Sequence, residues 1–407
     1  MAKLTNLELY GNELSGNLLK NIGKLSKLKH LILHINSLIG SLPLSLVKCT
    51  NLTTLILWFN FVEGNISTFK FSALHQLTVV DLGINKFFVN LPTSLFSCKS
   101  LKAVLLSKNR LMGHIQQEVV HLKFISFLSL VDNRLTNITN AIKILMRCKP
   151  LTTVLVGGNF LHEAIPSDHN VFGSNGFENV QVLSLPGCQL TGQLPTWISK
   201  LKKLEYLTLS ENRITGSIPS WLSTLPRLFA LDLADNLILG EFLNELCALP
   251  ALVSPKAPIA HNHLDLPIFL STRSFTQYNF LSNLYPSIYV GSNNLSGNIP
   301  IEIGHLKQLH ALDLSCNNFL GNIPNKLSEL TNLEELDLFE NRLSSKMPES
   351  PSSLHFFHDF SVANNNLHGP IPFGTQLQSF DASTYEGNPG LCGPPLPHEC
   401  AHIGTNN

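Results

Sequence analysis

Charged residues are scarce in this sequence and evenly balanced. Asp, Glu, Lys and Arg make up 14% of the 407 residues, with 28 basic side chains against 28 acidic ones. Proteins that bind nucleic acid or an anionic membrane surface through electrostatics need a basic excess. The composition therefore excludes both as main partners. The hydrophobic content of 44% predicts instead a large buried core.

Long apolar runs are also absent. A membrane-spanning helix needs about 20 consecutive apolar residues, and no stretch of the sequence approaches that length. Residues 1–12, MAKLTNLELYGN, lack the apolar centre of an export signal. We therefore expect neither signal nor membrane anchor in the sequence as given. Two interpretations stay open, a cytosolic protein or a part of a longer secreted protein.

Signatures of catalysis and of cofactor binding are missing as well. The sequence has no nucleophile elbow, phosphate-binding loop or pair of carboxylates in a catalytic arrangement. The sixteen histidines show no paired spacing on one face, and the eight cysteines show no metal-ligand spacing. We therefore expect a protein that is not an enzyme and uses no cofactor or metal ion.

A repeat of mostly 24 residues dominates the sequence. The pattern LxxLxLxxNxLxGxIPxxLxxLxx occurs fourteen times, with clear copies at 204–227 and 309–332. The alternation in LxLxx predicts a short strand with one buried face. Stacked copies place these strands side by side in a parallel sheet. The predicted strand centres are Leu7, Leu31, Leu55, Val80, Val104, Leu128, Val154, Leu183, Leu207, Leu231, Ile288, Leu312, Leu336 and Phe360.

An asparagine follows almost every strand. It occupies the ninth position in thirteen of the fourteen copies, and Cys188 replaces it in the eighth copy. Its amide can donate and accept hydrogen bonds where the chain leaves the strand. Gly follows this asparagine by four residues in ten copies, and Pro by seven in nine. The resulting xGxIP element resembles the plant-specific class of extracellular leucine-rich repeat, which adds a second short strand to each coil.

The predicted fold class is an α/β solenoid, a plant-specific leucine-rich-repeat superhelix with a parallel concave β-sheet, about 14 repeats and one island insertion. We call the sheet face that points away from the core the concave face. Repeats 1–10 are predicted at 1–254, without an N-terminal cap, and repeats 11–14 at 288–372. The island at 255–287 accounts for one interval of 57 residues between strand centres. Its aromatics and apolar run favour a folded segment packed against the concave face.

The remaining residues, 373–407, are expected to form a C-terminal cap and a tail. Cys392 and Cys400 flank the segment GPPLPHE, where a terminal coil needs a cover. They are interpreted as a capping disulfide, which implies an oxidising compartment. Two free thiols in a cytosolic protein are the alternative. Cys49, Cys98 and Cys148 take the position that Leu25 fills in an earlier copy, and are expected to be buried apolar side chains.

The xGxIP repeat, the late island and the ending YEGNPGLCGPPLPHEC together resemble plant leucine-rich-repeat receptor kinases and kinase-less receptor-like proteins. The segments LFALDLADNLILGEF, QYNFLSNLYPSIYVGSNNLSGNIP and FSVANNNLHGPIPFGTQ are most similar to the tyrosine-sulfated glycopeptide receptor and the phytosulfokine receptor. The resemblance implies an ectodomain at the plasma membrane that binds a short sulfated peptide between concave sheet and island. It also implies a co-receptor kinase docked near the C-terminal repeats, and a cytoplasmic kinase that this chain lacks.

Candidate ligand contacts follow from strand geometry. Trp58 and Phe59 are aromatic residues at positions that are otherwise polar, which favours contact with a partner. A sulfate needs basic or N–H donors, and the concave face offers few of them. The candidates on the concave face are His34, Trp58, Phe59, Asp81, Lys108, Ser129, Ser184, Tyr206, Thr208 and Asp232. Those on the island are Leu266, Ile268, Phe269, Leu270 and Arg273, and the sequons for N-glycosylation are Asn51, Asn65, Asn137 and Asn294.

Two alternatives to a peptide receptor remain. A soluble extracellular inhibitor of the polygalacturonase-inhibitor type uses the same repeat, although such inhibitors typically have fewer repeats and no island. A truncated, non-functional receptor fragment is the other, because the first coil would expose apolar residues such as Leu4, Leu7 and Leu9.

Overall fold

The computed structural model describes residues 3–167, 176–254, 266, 284–348, 357–373 and 376–400. The chain divides into two compact units, the first made of residues 1–190 and 262–281 and the second of 191–261 and 282–407. Each unit is built from leucine-rich-repeat coils. Each coil contributes one three-residue strand, called an inner strand here, to a parallel sheet.

The inner strands begin and end as the repeat predicts. Each is centred on the leucine, valine, isoleucine or phenylalanine that the pattern marks, and the register pairs these centres, for example Leu31 with Leu55. The first unit has Asn6–Glu8, His30–Ile32, Thr54–Ile56, Val79–Asp81, Ala103–Leu105, Phe127–Ser129, Thr153–Leu155 and Val182–Ser184. The second unit has Tyr206–Thr208, Ala230–Asp232, Ser287–Tyr289, Ala311–Asp313, Glu335–Asp337 and Asp359–Ser361. The predicted leucine-rich-repeat solenoid with fourteen repeats is confirmed.

A second row of parallel strands follows the inner strands in most coils, as the xGxIP element predicts. In the first unit these strands are Ser15–Asn17, Ser37–Gly40, Phe61–Asn65, Lys86–Asn90, Arg110–Gly113 and Arg134–Leu135. In the second unit they are Thr191–Gln193, Arg213–Thr215, Leu239–Glu241, Asn294–Asn298, Asn318–Gly321, Arg342–Lys346, Asn366–Pro370 and Gly390–Cys392.

Short helical segments follow the strands in most of the described coils. The 3₁₀ segments are Ile22–Lys24, Leu44–Lys48, Ile66–Thr68, Phe71–Ala73, Thr93–Ser97, Gln117–His121, Thr196–Lys200, Ser220–Thr224, Asn244–Ala248, Ile301–His305, Asn325–Glu329, Gln376–Ser379 and Ala382–Thr384. The α-helices among the described residues are Ile138–Met146 and Pro250–Val253. The first begins after Asn137, whose side-chain oxygen accepts a hydrogen bond from the Asn140 N–H at 3.1 Å. Its coil lacks the IP dipeptide that favours an extended segment elsewhere.

The asparagine ladder satisfies backbone groups inside the stack. The side-chain nitrogen of Asn60 donates to the carbonyls of Leu33 and Leu57, both at 3.0 Å, and its oxygen accepts from the Leu38 N–H at 3.0 Å. Each rung thereby joins its own coil to the preceding one. Because an unpaired buried polar group costs about 1–3 kcal/mol, these side chains determine where the chain turns.

The ladder differs from the repeat pattern at two positions. Cys188 is buried in the ladder, with its sulfur 3.5 Å from the Pro186 carbonyl oxygen. Beyond the fourteenth repeat, Asn388 acts as a further rung, since its oxygen accepts from the Leu367 N–H at 3.0 Å and its nitrogen donates to the Val362 carbonyl at 2.9 Å. The C-terminal cap thus continues the ladder, which the spacing of the repeats did not indicate.

The cap also contains one disulfide, between Cys392 and Cys400. The strand Gly390–Cys392 pairs in parallel with Asn366–Pro370, and the fully buried Tyr385 packs against the ring of Phe360. Cys49, Cys98 and Cys148 are buried, as their place in the repeat predicts.

Of the predicted island, the structure describes Leu266, which is buried, and residues 284–287. Ser287, the last residue assigned to the island, is the first residue of the strand Ser287–Tyr289 and pairs with Ala230. The candidate contacts Ile268, Phe269, Leu270 and Arg273 lie outside the described residues, as does the predicted packing of the island.

Candidate ligand-binding face

Three aromatic side chains from successive coils stack on the concave face of the first unit. The rings of Tyr10 and His34 have centroids 4.7 Å apart and planes 3° apart, and those of His34 and Trp58 are 5.1 Å apart at 12°. The ring of Phe59 meets Trp58 edge to face at 6.2 Å. We call these four residues the aromatic column. Its spacing follows from the distance of about 4.8 Å between neighbouring strands, because equivalent positions of adjacent coils lie side by side.

The aromatic column is partly open to solvent. Tyr10 is 54% exposed and Phe59 46% exposed, whereas His34 and Trp58 are half-buried. Burial lowers the pKa of His34, which favours the neutral imidazole. The buried Nδ1 of His34 has no hydrogen-bond partner among the described residues. Of the predicted contacts, His34, Trp58 and Phe59 therefore form one contiguous group, which Tyr10 extends.

Further along the first unit, the polar candidates are buried. Asp81 is 3% exposed, and Ser129 and Ser184 are fully buried. The Ser129 hydroxyl lies 2.6 Å from that of Ser107. The Ser184 hydroxyl has no partner among the described residues. These side chains form a desolvated polar row and not an open surface.

Lys108 is the basic candidate in this row. Its ammonium group lies 3.6 Å from a carboxylate oxygen of Asp132 in the next coil, and the Lys108 side chain is 13% exposed. Lys108 also has a positive φ of 52°, because the residue before each ladder asparagine takes the left-handed conformation. Its charge is therefore already paired within the protein.

In the second unit, Thr208 and Asp232 form a hydrogen-bonded pair. The Thr208 hydroxyl donates to Asp232 Oδ2 at 2.9 Å and lies 3.0 Å from the Ser210 hydroxyl. Burial raises the pKa of Asp232 to about 6, although hydrogen bonds from Ser210, Thr208 and the Ala234 N–H act in the opposite direction. Tyr206 is also buried.

The aspartates of the strands share one backbone contact that the sequence analysis missed. Asp232 accepts from the Ala234 N–H at 3.2 Å, Asp313 from the Ser315 N–H at 2.8 Å, and Asp337 from the Phe339 N–H at 2.9 Å. Each carboxylate thus satisfies the amide two residues after it. The signal was present in the sequence as the recurring LDLxx, and it indicates a structural role for these acids.

The four sequon asparagines are exposed. The Asn51 side chain donates to the Ser26 carbonyl at 2.8 Å, and the Asn65 side chain accepts from the Ser67 N–H at 3.0 Å. Asn137 and Asn294 lie before a helix and at the start of a second-row strand.

Two negative findings apply to the described residues only. They contain no helix long and apolar enough to cross a membrane. They also contain no group of three or more His, Cys, Asp or Glu side chains arranged to hold a metal ion.

Comparison with known families identifies the repeats. A leucine-rich-repeat family model matches residues 178–238, and a second leucine-rich-repeat model matches 308–330 and 332–354. Together with the inner strands and the asparagine ladder, these matches identify the fold as a leucine-rich-repeat fold.

Its relatives are plant receptors and receptor-like proteins. The chain is 47% identical over 255 residues to receptor-like protein 3 of Arabidopsis thaliana, a match that covers 61% of this chain and 34% of the relative. It is 50% identical over 194 residues to phytosulfokine receptor 1 of the same organism, which covers 47% of this chain and 19% of the relative. The matches thus span about a third or less of each relative's length.

Solved structures of plant receptors resemble the chain as well. A TDR receptor superposes with a TM-score of 0.71 at 26% identity, covering 96% of this chain and 64% of that one. The leucine-rich-repeat ectodomain of the membrane receptor kinase GASSHO1/SCHENGEN3 from Arabidopsis thaliana, in complex with CASPARIAN STRIP INTEGRITY FACTOR 2, gives a TM-score of 0.53 at 28% identity, covering 98% and 51%. The predicted resemblance to plant leucine-rich-repeat receptor ectodomains is confirmed.

Proposed function

We propose that this chain is the ligand-recognition region of a plant cell-surface receptor and that it binds a secreted peptide along its concave face. The aromatic column carries the proposal, because it places Tyr10, His34, Trp58 and Phe59 together on a partly exposed surface. Rigid aromatic side chains supply large contact area at low entropic cost. The similarity to receptor-like protein 3 and to phytosulfokine receptor 1 supports a receptor.

The ligand in this proposal is a tyrosine-sulfated peptide, as the resemblance to the phytosulfokine receptor implies. A sulfate group is recognised by N–H donors and cations. Donors on the described concave face include the imidazole of His34 and the indole N–H of Trp58. In this proposal, the ammonium group of Lys108 leaves its ion pair with Asp132 and binds the sulfate instead. The island residues Arg273 and Leu266 belong to the same proposed site.

In this proposal, signalling involves a second protein. We assign that role to a co-receptor leucine-rich-repeat kinase docked near repeats 11–14 at the outer side of the plasma membrane. The chain itself acts as the non-catalytic binding region.

Substitution of Trp58 tests the proposal. Trp58→Ala removes the central indole of the column, and we expect it to weaken binding of a peptide ligand by at least about tenfold. Trp221→Ala is the matched control, because Trp221 is half-buried on the 3₁₀ segment Ser220–Thr224, away from the concave face. Equal affinities of the two variants for a sulfated peptide, measured by calorimetry, would contradict the proposed site.

A further inference from the structure

A cavity in the second unit has a lining that the proposed function does not use. It has a volume of about 200 Å³ and is lined by Tyr285, His310, Glu334, Glu335, His358 and Asp359. None of these described residues is Lys or Arg. We call it the tyrosine–carboxylate pocket.

The repeat aligns the lining residues in two rows. Ala311 pairs with Glu335 and Glu335 with Asp359, so the residues that precede them, His310, Glu334 and His358, are neighbours as well. The backbone confirms this register, since the Glu334 N–H donates to the His310 carbonyl at 2.8 Å and the His358 N–H to the Glu334 carbonyl at 2.7 Å. Glu335 and Asp359 therefore lie side by side on adjacent strands, whose backbones are about 4.8 Å apart, and Glu334 directly precedes Glu335.

Two tyrosines hold one of these carboxylates in place. The Tyr289 hydroxyl donates to Glu335 Oε2 at 3.1 Å and lies 2.9 Å from the Tyr285 hydroxyl. Since the Tyr289 proton goes to Glu335, Tyr285 is the donor to Tyr289. Tyr285 as a whole remains 43% exposed. It is therefore an accessible aromatic residue of the lining, linked through Tyr289 to a positioned carboxylate.

Among the described residues of the lining, the acids have no Lys or Arg beside them. Burial raises the pKa of Glu335, and the carboxylates of Asp359, Asp313 and Asp337 raise it further, whereas the Tyr289 hydrogen bond lowers it. The nearest basic group to Glu334 in the lining is the imidazole of His310, 3.4 Å from its carboxylate. The described lining thus brings three carboxyl groups together without a Lys or Arg, an arrangement that favours a cationic group.

We propose that the tyrosine–carboxylate pocket binds an arginine side chain of a polypeptide partner. A guanidinium group presents five N–H donors in a plane, pairs with carboxylates in a bidentate manner and stacks on tyrosine. It would therefore use the carboxylates of Glu334, Glu335 and Asp359 together with the ring of Tyr285. Among the described residues, these acids do not form a group of three or more side chains arranged to hold a metal ion. The inference goes beyond the proposed function and does not depend on the sulfated ligand.

A pair of model peptides tests this inference on the whole 407-residue chain. The probe is an acetylated and amidated pentapeptide, Gly-Gly-Arg-Gly-Gly, and its counterpart carries citrulline, which has the same shape without the charge. At low ionic strength we expect the arginine peptide to bind at least about tenfold more tightly than the citrulline peptide. Equal binding of the two peptides would overturn the proposal and leave the proposed function untouched.

Three variants locate the binding. Glu335→Gln and Tyr285→Leu should each weaken binding of the arginine peptide by about tenfold. Glu329→Gln should leave the affinity for the arginine peptide unchanged, because Glu329 pairs with Lys307 and Lys326 outside the pocket. If Glu329→Gln lost as much affinity as the pocket variants, the peptide would be attracted by the net charge of the chain, and binding in the pocket would be refuted. Far-UV circular dichroism verifies folding, and the exposed Tyr285 keeps the test decisive if Glu335→Gln fails to fold.

Discussion

Asp81 Oδ1 accepts a hydrogen bond from the backbone N–H of Gly83 at 3.0 Å, although its carboxyl group is buried on the sheet. Burial raises the pKa of Asp81 to about 7, and the Gly83 hydrogen bond opposes this only in part. The same contact recurs at Asp232, Asp313 and Asp337. An aspartate at this strand position thus stabilises the end of its strand, but its burial makes its own ionisation less favourable.

This cost predicts a dependence of stability on pH. An aspartate in an unfolded chain titrates near pH 3.9, so between about pH 4 and pH 7 the native Asp81 keeps a proton that the unfolded chain has lost. The native state then binds more protons, and its stability falls as the pH rises. The asparagine of Asp81→Asn does not titrate, so the variant should not lose this stability. From pH 4 to pH 8, the free energy of unfolding of Asp81→Asn relative to that of the wild type should therefore rise by about 1–3 kcal/mol.

Urea unfolding at both pH values measures this difference. The exposed Asp381 gives the matched control, since Asp381→Asn should show no such gain. A difference between Asp81→Asn and wild type that is the same at pH 4 and pH 8 would contradict the assignment.

Val89 is expected to be a strained residue. Its φ is 73°, at the position where the next coil has Gly113 with a φ of 79°. A β-branched residue is disfavoured in this region, where glycine is not. Val89→Gly should therefore raise the free energy of unfolding by about 1 kcal/mol, in spite of the lost side chain. The reverse change, Gly113→Val, should destabilise, because a Cβ there would lie 2.6 Å from the side-chain oxygen of Asn90. Thermal unfolding of Val89→Gly and of the wild type measures this difference. A lower melting temperature for Val89→Gly than for the wild type would contradict strain at Val89.

Cys188 weakens the asparagine ladder. In the preceding coil, the Asn159 oxygen accepts from the Leu135 N–H at 3.0 Å, a bond that a thiol makes poorly. Cys188→Asn should add about 1 kcal/mol to the free energy of unfolding, whereas Asn159→Cys should remove about 1–3 kcal/mol. Chemical denaturation of the two variants compares them directly. A destabilised Cys188→Asn would mean that the coil has adapted to the smaller side chain.

The disulfide should stabilise the C-terminal cap. Closing a short loop contributes roughly 2–3 kcal/mol in the entropy model, so Cys400→Ser should lower the stability of the cap by about that amount. Cys316→Ser, which removes a free and partly exposed thiol, is the control. Proteolysis near the C-terminus reports the difference, and equal cleavage of both variants would argue against a stabilising role.

The sequence predicted the repeat architecture because its cause is local. A buried residue such as Leu55 and a ladder residue such as Asn60 recur with one spacing, and that spacing determines both strand and turn. Asn388 was missed because the cap keeps the ladder residue without the leucines of the repeat.

The candidate site was predicted less well, for a physical reason. Strand alternation predicts that Ser129 and Thr208 lie on the concave face, but it does not determine whether that face is open, and both side chains are buried. The parallel stacking of Tyr10, His34 and Trp58 depends on side-chain orientation across coils. No spacing along a single strand contains that information.

The most direct test of a peptide-binding function is calorimetric titration of the purified chain, produced by secretion from an expression host, with matched sulfated and unsulfated plant peptides. The account predicts binding of a sulfated peptide, weakened by at least about tenfold when the sulfate is removed or Trp58 is replaced by alanine. No binding by a folded, monomeric chain, or binding that ignores both changes, would contradict it.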